Sequence, residues 1–148
     1  MKIEEALAGI GSIFLDTAPV IYYVENNPRY DDLVKEIFAR IDNGSLEAVT
    51  SPVTLSECLV APYLLGLTAL RQDFVDLIVS GRNTAFMHIS LDSALRAAEL
   101  RARYNLTLLD ALQVSVALTA GCDAFLTNDI MLRRVTELRV LVLDDMEI

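Results

Sequence analysis

Leu106–Asp129, LTLLDALQVSVALTAGCDAFLTND, sets a helix directly before a strand, and the fold is read outward from it. Thr107 stands where a helix needs a side-chain oxygen to meet its first free N–H groups. Leu108 to Ala120 is a largely apolar helix, and Gly121 closes it, since glycine takes the left-handed conformation in which helices end. Ala124 to Thr127 then reads as a strand, followed at once by Asn128 and Asp129.

The same alternation holds upstream and downstream. Ser12–Leu15 (SIFL), between Gly11 and Asp16, is a strand buried on both faces. Thr17 and Pro19 open a helix to about Val24, and Asn26, Asn27 and Pro28 break it. Leu33, Val34, Ile37, Phe38 and Ile41 recur with helical spacing up to Asn43-Gly44, and Glu47–Thr50 is a second strand. Ser51-Pro52 starts the helix that carries Glu57, expected to kink or end near Pro62, with a further helix from Leu67 to Ser80. Ala85–Ile89 reads as a third strand. Leu91, Leu95, Ala98 and Ala102 read as the apolar face of the next helix, opposite Arg96, Glu99 and Arg103. Arg139–Leu143 is the fifth strand. Strands alternating with helices predict an α/β fold, residues 1–148 forming one domain with a mainly parallel five-stranded sheet flanked by helices.

Composition narrows the chemistry. Of 148 residues, 53% are hydrophobic, and mean hydropathy is +0.41, high enough that some apolar surface is expected against a partner. Cys58 to Leu70 is nearly all apolar and is expected to lie largely buried, partly at such an interface. Its core, Cys58–Ala69, is too short to span a bilayer and is broken by Pro62 and Gly66. The opening MKIEEALAG carries glutamates where a secretory signal needs positive charge, which makes the cytoplasm the expected location. Cys58 and Cys122 form no CxxC pair, and His88 is the one histidine, too few soft ligands for structural zinc. Catalysis must therefore rest mainly on carboxylates, hydroxyls and amides. The net charge of −9 argues against non-specific nucleic-acid binding through a basic surface.

In a parallel sheet, ligands bind beyond the carboxyl ends of the strands. Asp16 follows strand one and Asp129 follows strand four, while Glu57 and Asp110 lie in early turns of helices leaving the same end. The four are expected to converge on one rim. Each also has a purely structural explanation. Thr54-x-x-Glu57 and Thr107-x-x-Asp110 both fit a capping box, Asp16 can cap the next helix, and Asp129 can be a turn residue. A converged quartet needs a counter-charge, and oxygen-only ligation fits Mg²⁺ or Mn²⁺. Such an ion, with local arginines drawn from Arg96, Arg101, Arg103, Arg133 and Arg134, would also meet phosphates despite the acidic balance. His88 reads as a strand residue, Tyr22, Tyr23, Tyr63 and Tyr104 as packing or interface residues, and Cys58 as a small buried apolar group.

The segments FLDTAPVIYYVE, SPVTLSE, LTLLDALQVSVALTAGCDAFLTND and LRVLVLDD, in that order, resemble the PIN domain, and within it the VapC-type ribonuclease toxins of toxin–antitoxin operons. The D-A-L and T-N-D elements, separated by a helix and a strand, are the specific part of the likeness. The resemblance implies an α/β/α sandwich and a Mg²⁺- or Mn²⁺-dependent endoribonuclease, commonly a homodimer, held inactive by an antitoxin protein. It implies that Asp16, Glu57 and Asp110 carry the metal, Asp129 supports it directly or through water, and Thr127 and Asn128 assist. The stretch Met1–Gly11 is longer than expected before the first strand, and Leu132 stands where an aromatic is frequent. A housekeeping RNA-processing nuclease or a non-catalytic interaction module of the same fold are the alternatives. An aspartyl phosphatase is disfavoured, because Ala18 occupies the position of its second aspartate and neither Lys2 nor Lys35 lies at the end of a late strand.

Overall fold

Short apolar strands persist only when neighbours satisfy their edges and helices cover their faces. The computed structural model describes residues Met1–Ile148 throughout. Along the chain run α1 (Ile3–Ala6), β1 (Ser12–Leu15), α2 (Thr17–Val24), α3 (Asp31–Asp42), β2 (Glu47–Thr50), α4 (Pro52–Leu65) and α5 (Thr68–Ser80). After them come β3 (Thr84–Phe86), α6 (Leu91–Tyr104), α7 (Leu108–Thr119), β4 (Ala124–Thr127) and β5 (Arg139–Val142), with 3₁₀ turns at Ile130–Arg134 and Leu143–Asp145. The strands pair in the order β3-β2-β1-β4-β5, every pair parallel. Central β1 is held in register by Ile13 opposite Ala48 and Phe14 opposite Phe125.

Alternation along the strands divides the core into two layers. Ile13, Leu15, Ala48, Leu126 and Leu141 face one cluster, closed by α1, α2, α3 and α5 through Ile3, Val20, Ile37, Phe74 and Ile78. Phe14, Val49 and Phe125 face the other, closed by α6 and α7 through Ala97, Leu100, Ala111 and Val114. The Phe14 and Phe125 rings stack at 5.1 Å between centroids. This is the expected α/β/α sandwich. The leading stretch belongs to the first layer: Ile3 and Ala6 are fully buried, and the Ile3 N–H donates to the Glu147 carbonyl at 2.8 Å. No helix is long and apolar enough to cross a membrane.

Three sequence expectations need correction. The helix carrying Glu57 does not end at Pro62 but continues to Leu65, stopping where Gly66 adopts φ +66° and Leu67 N–H donates to the Pro62 carbonyl. Burial of the Pro62 ring holds the helix through a position where the proline itself lacks a donor. The third strand is Thr84–Phe86 rather than Ala85–Ile89. Its one neighbour, β2, stops at Thr50 because Ser51-Pro52 turns into α4, and Met87 N–H takes the Thr50 carbonyl as the last rung. His88 therefore lies past the strand, edge-on to Phe86.

The third correction concerns α6. Its buried stripe is Ser93, Ala97 and Leu100, while Leu91 and Leu95 are 75% and 60% exposed. Close approach decided this, for small residues let α6 lie against α7. Ser115 Oγ donates to the Ser93 carbonyl at 2.6 Å, and the Ser93 and Thr119 hydroxyls meet at 3.3 Å. Within the single chain, Cys58–Leu70 is only partly covered. Cys58 and Pro62 are buried, but Val60, Tyr63, Leu64, Leu65 and Leu67 stand open on the chain taken alone.

Candidate active site

The strand order reverses at β1, whose neighbours β2 and β4 leave in opposite directions, and in parallel sheets such a switch point binds ligands beyond the carboxyl ends of the strands. Asp16 is the most buried acid there. Its N–H donates to the Leu126 carbonyl at 3.0 Å, so the first residue past β1 is tied to β4. Its carboxylate, only 8% exposed, accepts the Thr17 N–H at 2.9 Å and the Thr127 hydroxyl at 2.7 Å. The Thr127 oxygen also accepts the Asp129 N–H at 3.1 Å, and Asp129 accepts the Met131 N–H at 2.9 Å to cap the 3₁₀ turn. One buried hydroxyl thus couples the aspartates at the ends of two neighbouring strands.

The other two acids arrive on helices. Glu57, exposed on α4, accepts the Thr17 hydroxyl at 2.8 Å. It serves no capping box. Ser51 is the cap of α4, accepting from Val53 N and Thr54 N, and Thr54 instead donates to the Leu15 carbonyl at 3.1 Å. On α7 the capping geometry survives, with Thr107 Oγ accepting the Asp110 N–H at 3.2 Å, while the Asp110 side chain is half-buried toward the other acids.

Mutual charge shows that the acids share one field. Burial pushes the Asp16 carboxyl up to about 6, the Thr127 and Thr17 bonds oppose this, and the charges of Asp110 and Glu57 raise it further. Asp110 is also raised, by burial first, with Asp129 and Glu57 adding to it against the Thr107 bond. No lysine or arginine figures among the groups acting on either. As the side chains lie, no three acidic, histidine or cysteine groups close around one point. Closing that gap would press like charges together, which becomes favourable only with a cation among them. The donors are oxygens, anchored at Asp16, Glu57 and Asp129 by hydroxyl and amide bonds, and they suit a hard divalent ion. The neighbouring Cys58 does not compete as a soft ligand. Burial, then the charges of Glu57 and Asp16, push its thiol up to about 12.

Some residues expected near the site lie elsewhere. Asn128 turns away from the acids: its amide donates to Tyr30 Oη at 2.9 Å and Tyr22 Oη at 3.3 Å, and its oxygen accepts the Asp144 N–H at 3.0 Å. It braces the turn from behind. Tyr22 stacks on Tyr30 and Tyr23 on Phe38, which makes both packing residues. Arg103 and Arg133 pair with Glu137 and Asp145, and Arg101 and Arg134 hold loop carbonyls, so these four do not form a phosphate clamp as they lie. Thr17, Ser51 and Thr54, legible in the sequence only as helix starts and caps, are parts of the site's framework, and so is Gln113, which carries no local signal.

The family model of the PIN domain matches residues 13–138. Among curated proteins, none matches the sequence. Solved structures match the fold at low identity. VapBC2 from Rickettsia felis, bound to a DNA fragment from its promoter, aligns with a TM-score of 0.68 and 18% identity over 88% of this chain and 98% of its own. VapC20 of Mycobacterium tuberculosis, a toxin that cleaves the sarcin–ricin loop, aligns at 0.67 and 17% over 86% and 98%. DNA-bound VapBC from Salmonella typhimurium aligns at 0.65 and 16% over 90% and 99%.

Proposed function

The chain belongs to the PIN domain family, and from that membership we propose that it is a Mg²⁺- or Mn²⁺-dependent endoribonuclease of the cytoplasm, the toxin of a toxin–antitoxin pair. The observation that carries the reading is the group of four acids at the β1/β4 switch point, electrostatically coupled and without a basic partner. Asp16, Glu57 and Asp110 would hold the ion, with Asp129 completing the set directly or through water. A divalent ion in such a site supplies an activated water and a clamp on the phosphate during in-line displacement.

The chain's own residues prepare this chemistry. Thr127 and Thr17 fix both oxygens of Asp16, and Thr17 holds Glu57 with its hydroxyl, so two of the acids are oriented through one residue. Met131 N–H keeps Asp129 at the rim. Hydrogen bonds to both carboxylate oxygens favour the charged form that a metal requires, against the burial that opposes it. The similarity to a toxin that cleaves the sarcin–ricin loop supports RNA as substrate, and similarity to VapBC assemblies supports an antitoxin partner. The open apolar residues Val60, Tyr63, Leu64, Leu65 and Leu67 on α4 and before α5 support a covered interface, with a second copy or the antitoxin.

Purified protein, free of partner, is expected to cut single-stranded RNA with Mg²⁺ or Mn²⁺ and to stop in EDTA. Undiminished cutting after thorough chelation would overturn the metal mechanism.

A further inference from the structure

Behind the acids lies a second layer of polar side chains that touches no ligand position. Gln113, Ser51 and Thr54 are each fully buried. The Gln113 amide nitrogen donates to the Thr54 hydroxyl at 2.7 Å, and its oxygen accepts the Ser51 hydroxyl. The Thr54 hydroxyl in turn donates a hydrogen bond to the carbonyl of Leu15, at 3.1 Å, on the peptide bond that leads into Asp16. Three segments of distant sequence therefore meet at one amide: the start of α4, the second turn of α7 and the end of β1.

The spacing gives this layer its meaning. Gln113 lies three residues after Asp110 on α7, and Thr54 three residues before Glu57 on α4, so each pair shares a helix face. The two helices consequently present two rungs to each other. The inner rung, Thr54 to Gln113, is neutral and hydrogen-bonded. The outer rung sets Glu57 on α4 against Asp110 on α7, and the charge of Glu57 adds to the raising of Asp110, after burial and Asp129. Like charge at this rung works against holding α4 and α7 close. A buried amide with its donor and acceptor both engaged resists this, because parting the helices would strand polar groups away from water. An apolar residue at 113 would fill the space without setting a distance.

We propose that Gln113 is a positioning residue of the nuclease site, holding α4, α7 and β1 at the separation that lets Glu57, Asp110 and Asp16 share one ion. This rests on the metal-nuclease reading above. The residue is fully buried and acts through Thr54 and Ser51.

The test is a calorimetric titration of the metal-free protein with Mn²⁺, beside thermal melts without metal. Gln113→Met keeps the side-chain length and removes both hydrogen-bonding groups, and Thr54→Val cuts the same rung from the other helix. Each is expected to raise the Mn²⁺ dissociation constant about tenfold, the scale of an outer-layer loss at metal sites. The double variant should be no weaker than about tenfold, since both changes sever one connection. Thr54→Ser, which keeps the hydroxyl, should bind like the parent. Lowered melting temperatures with an unchanged Mn²⁺ constant in both variants would make the rung merely structural and overturn the proposal alone. A parent that binds no Mn²⁺ would overturn the metal-nuclease reading and this proposal together.

Discussion

Asp16 offers the sharpest test of the site, because its environment works against it until a cation arrives. In the folded chain its carboxyl is raised from 3.8 to about 6, first by burial and then by Asp110 and Glu57. Between those two values the folded protein holds a proton that the unfolded chain has lost. Stability of the metal-free protein therefore falls as pH rises through that window, and the loss is complete above about 7. The displacement corresponds to about 3 kcal/mol. Asp16→Asn removes the charge while keeping the shape. It weakens one of the two bonds from Thr17 N–H and Thr127 Oγ, at a cost of about 1 kcal/mol. Metal-free Asp16→Asn is then expected to exceed the parent by about 2 kcal/mol at pH 7.5, or roughly 4–8 °C in melting temperature for a chain of this size. At pH 4 that advantage should vanish, because Asp16 is protonated in the folded parent. Thermal melts in EDTA at both pH values read the difference directly. An Asp16→Asn protein no more stable than the parent at pH 7.5, or an equal difference at both pH values, would refute the argument that Asp16 is a buried, uncompensated carboxylate.

Asp110→Ala, which leaves the Thr107 cap in place, should abolish RNA cleavage while melting no lower than the parent in EDTA. Added Mg²⁺ should stabilise the parent by about 2.7 kcal/mol at a hundredfold excess over its dissociation constant, and equal metal-induced shifts in both proteins would remove Asp110 from the ion site. Leu64, 80% exposed, is expected to lie in an interface. Leu64→Asp should shift sedimentation toward the monomer, and a parent already monomeric at micromolar concentration would count against self-association. On α6, Ala97→Leu should cost about 1–3 kcal/mol by overpacking against α7, whereas Leu95→Gln should change stability by less than about 0.5 kcal/mol. The reverse ranking in denaturant melts would restore Leu91 and Leu95 as the core face.

Much of this molecule is legible residue by residue. The strands at Ser12–Leu15, Glu47–Thr50 and Ala124–Thr127 stand where short apolar runs meet turn residues, and Thr107 and Gly121 bound their helix as cap chemistry requires. That Asp16, Glu57, Asp110 and Asp129 leave the same end of the sheet follows from position, since the element that precedes or carries each acid fixes that end. These features announce themselves through side-chain periods, caps and turn residues that lie within a dozen residues of one another, even where the strands' pairing partners lie far away in the chain.

Where the partner lies elsewhere in the chain, sequence is silent. Leu91 and Leu95 look more apolar than Ser93 and Ala97, yet the smaller pair faces α7, because small side chains let two helices approach closely there. Pro62 should break α4, but burial of its ring carries the helix on to Gly66. Thr54 and Glu57 read as a capping box, although the Thr54 hydroxyl is taken by Gln113 and the Leu15 carbonyl, 59 and 39 residues away. Hydropathy and spacing determined which segments become strands and helices and which acids reach the rim. Only the packed structure decided which face each helix buries, how far the acids stand apart and what holds them there, because those outcomes belong to pairs of distant surfaces and to no single stretch of chain.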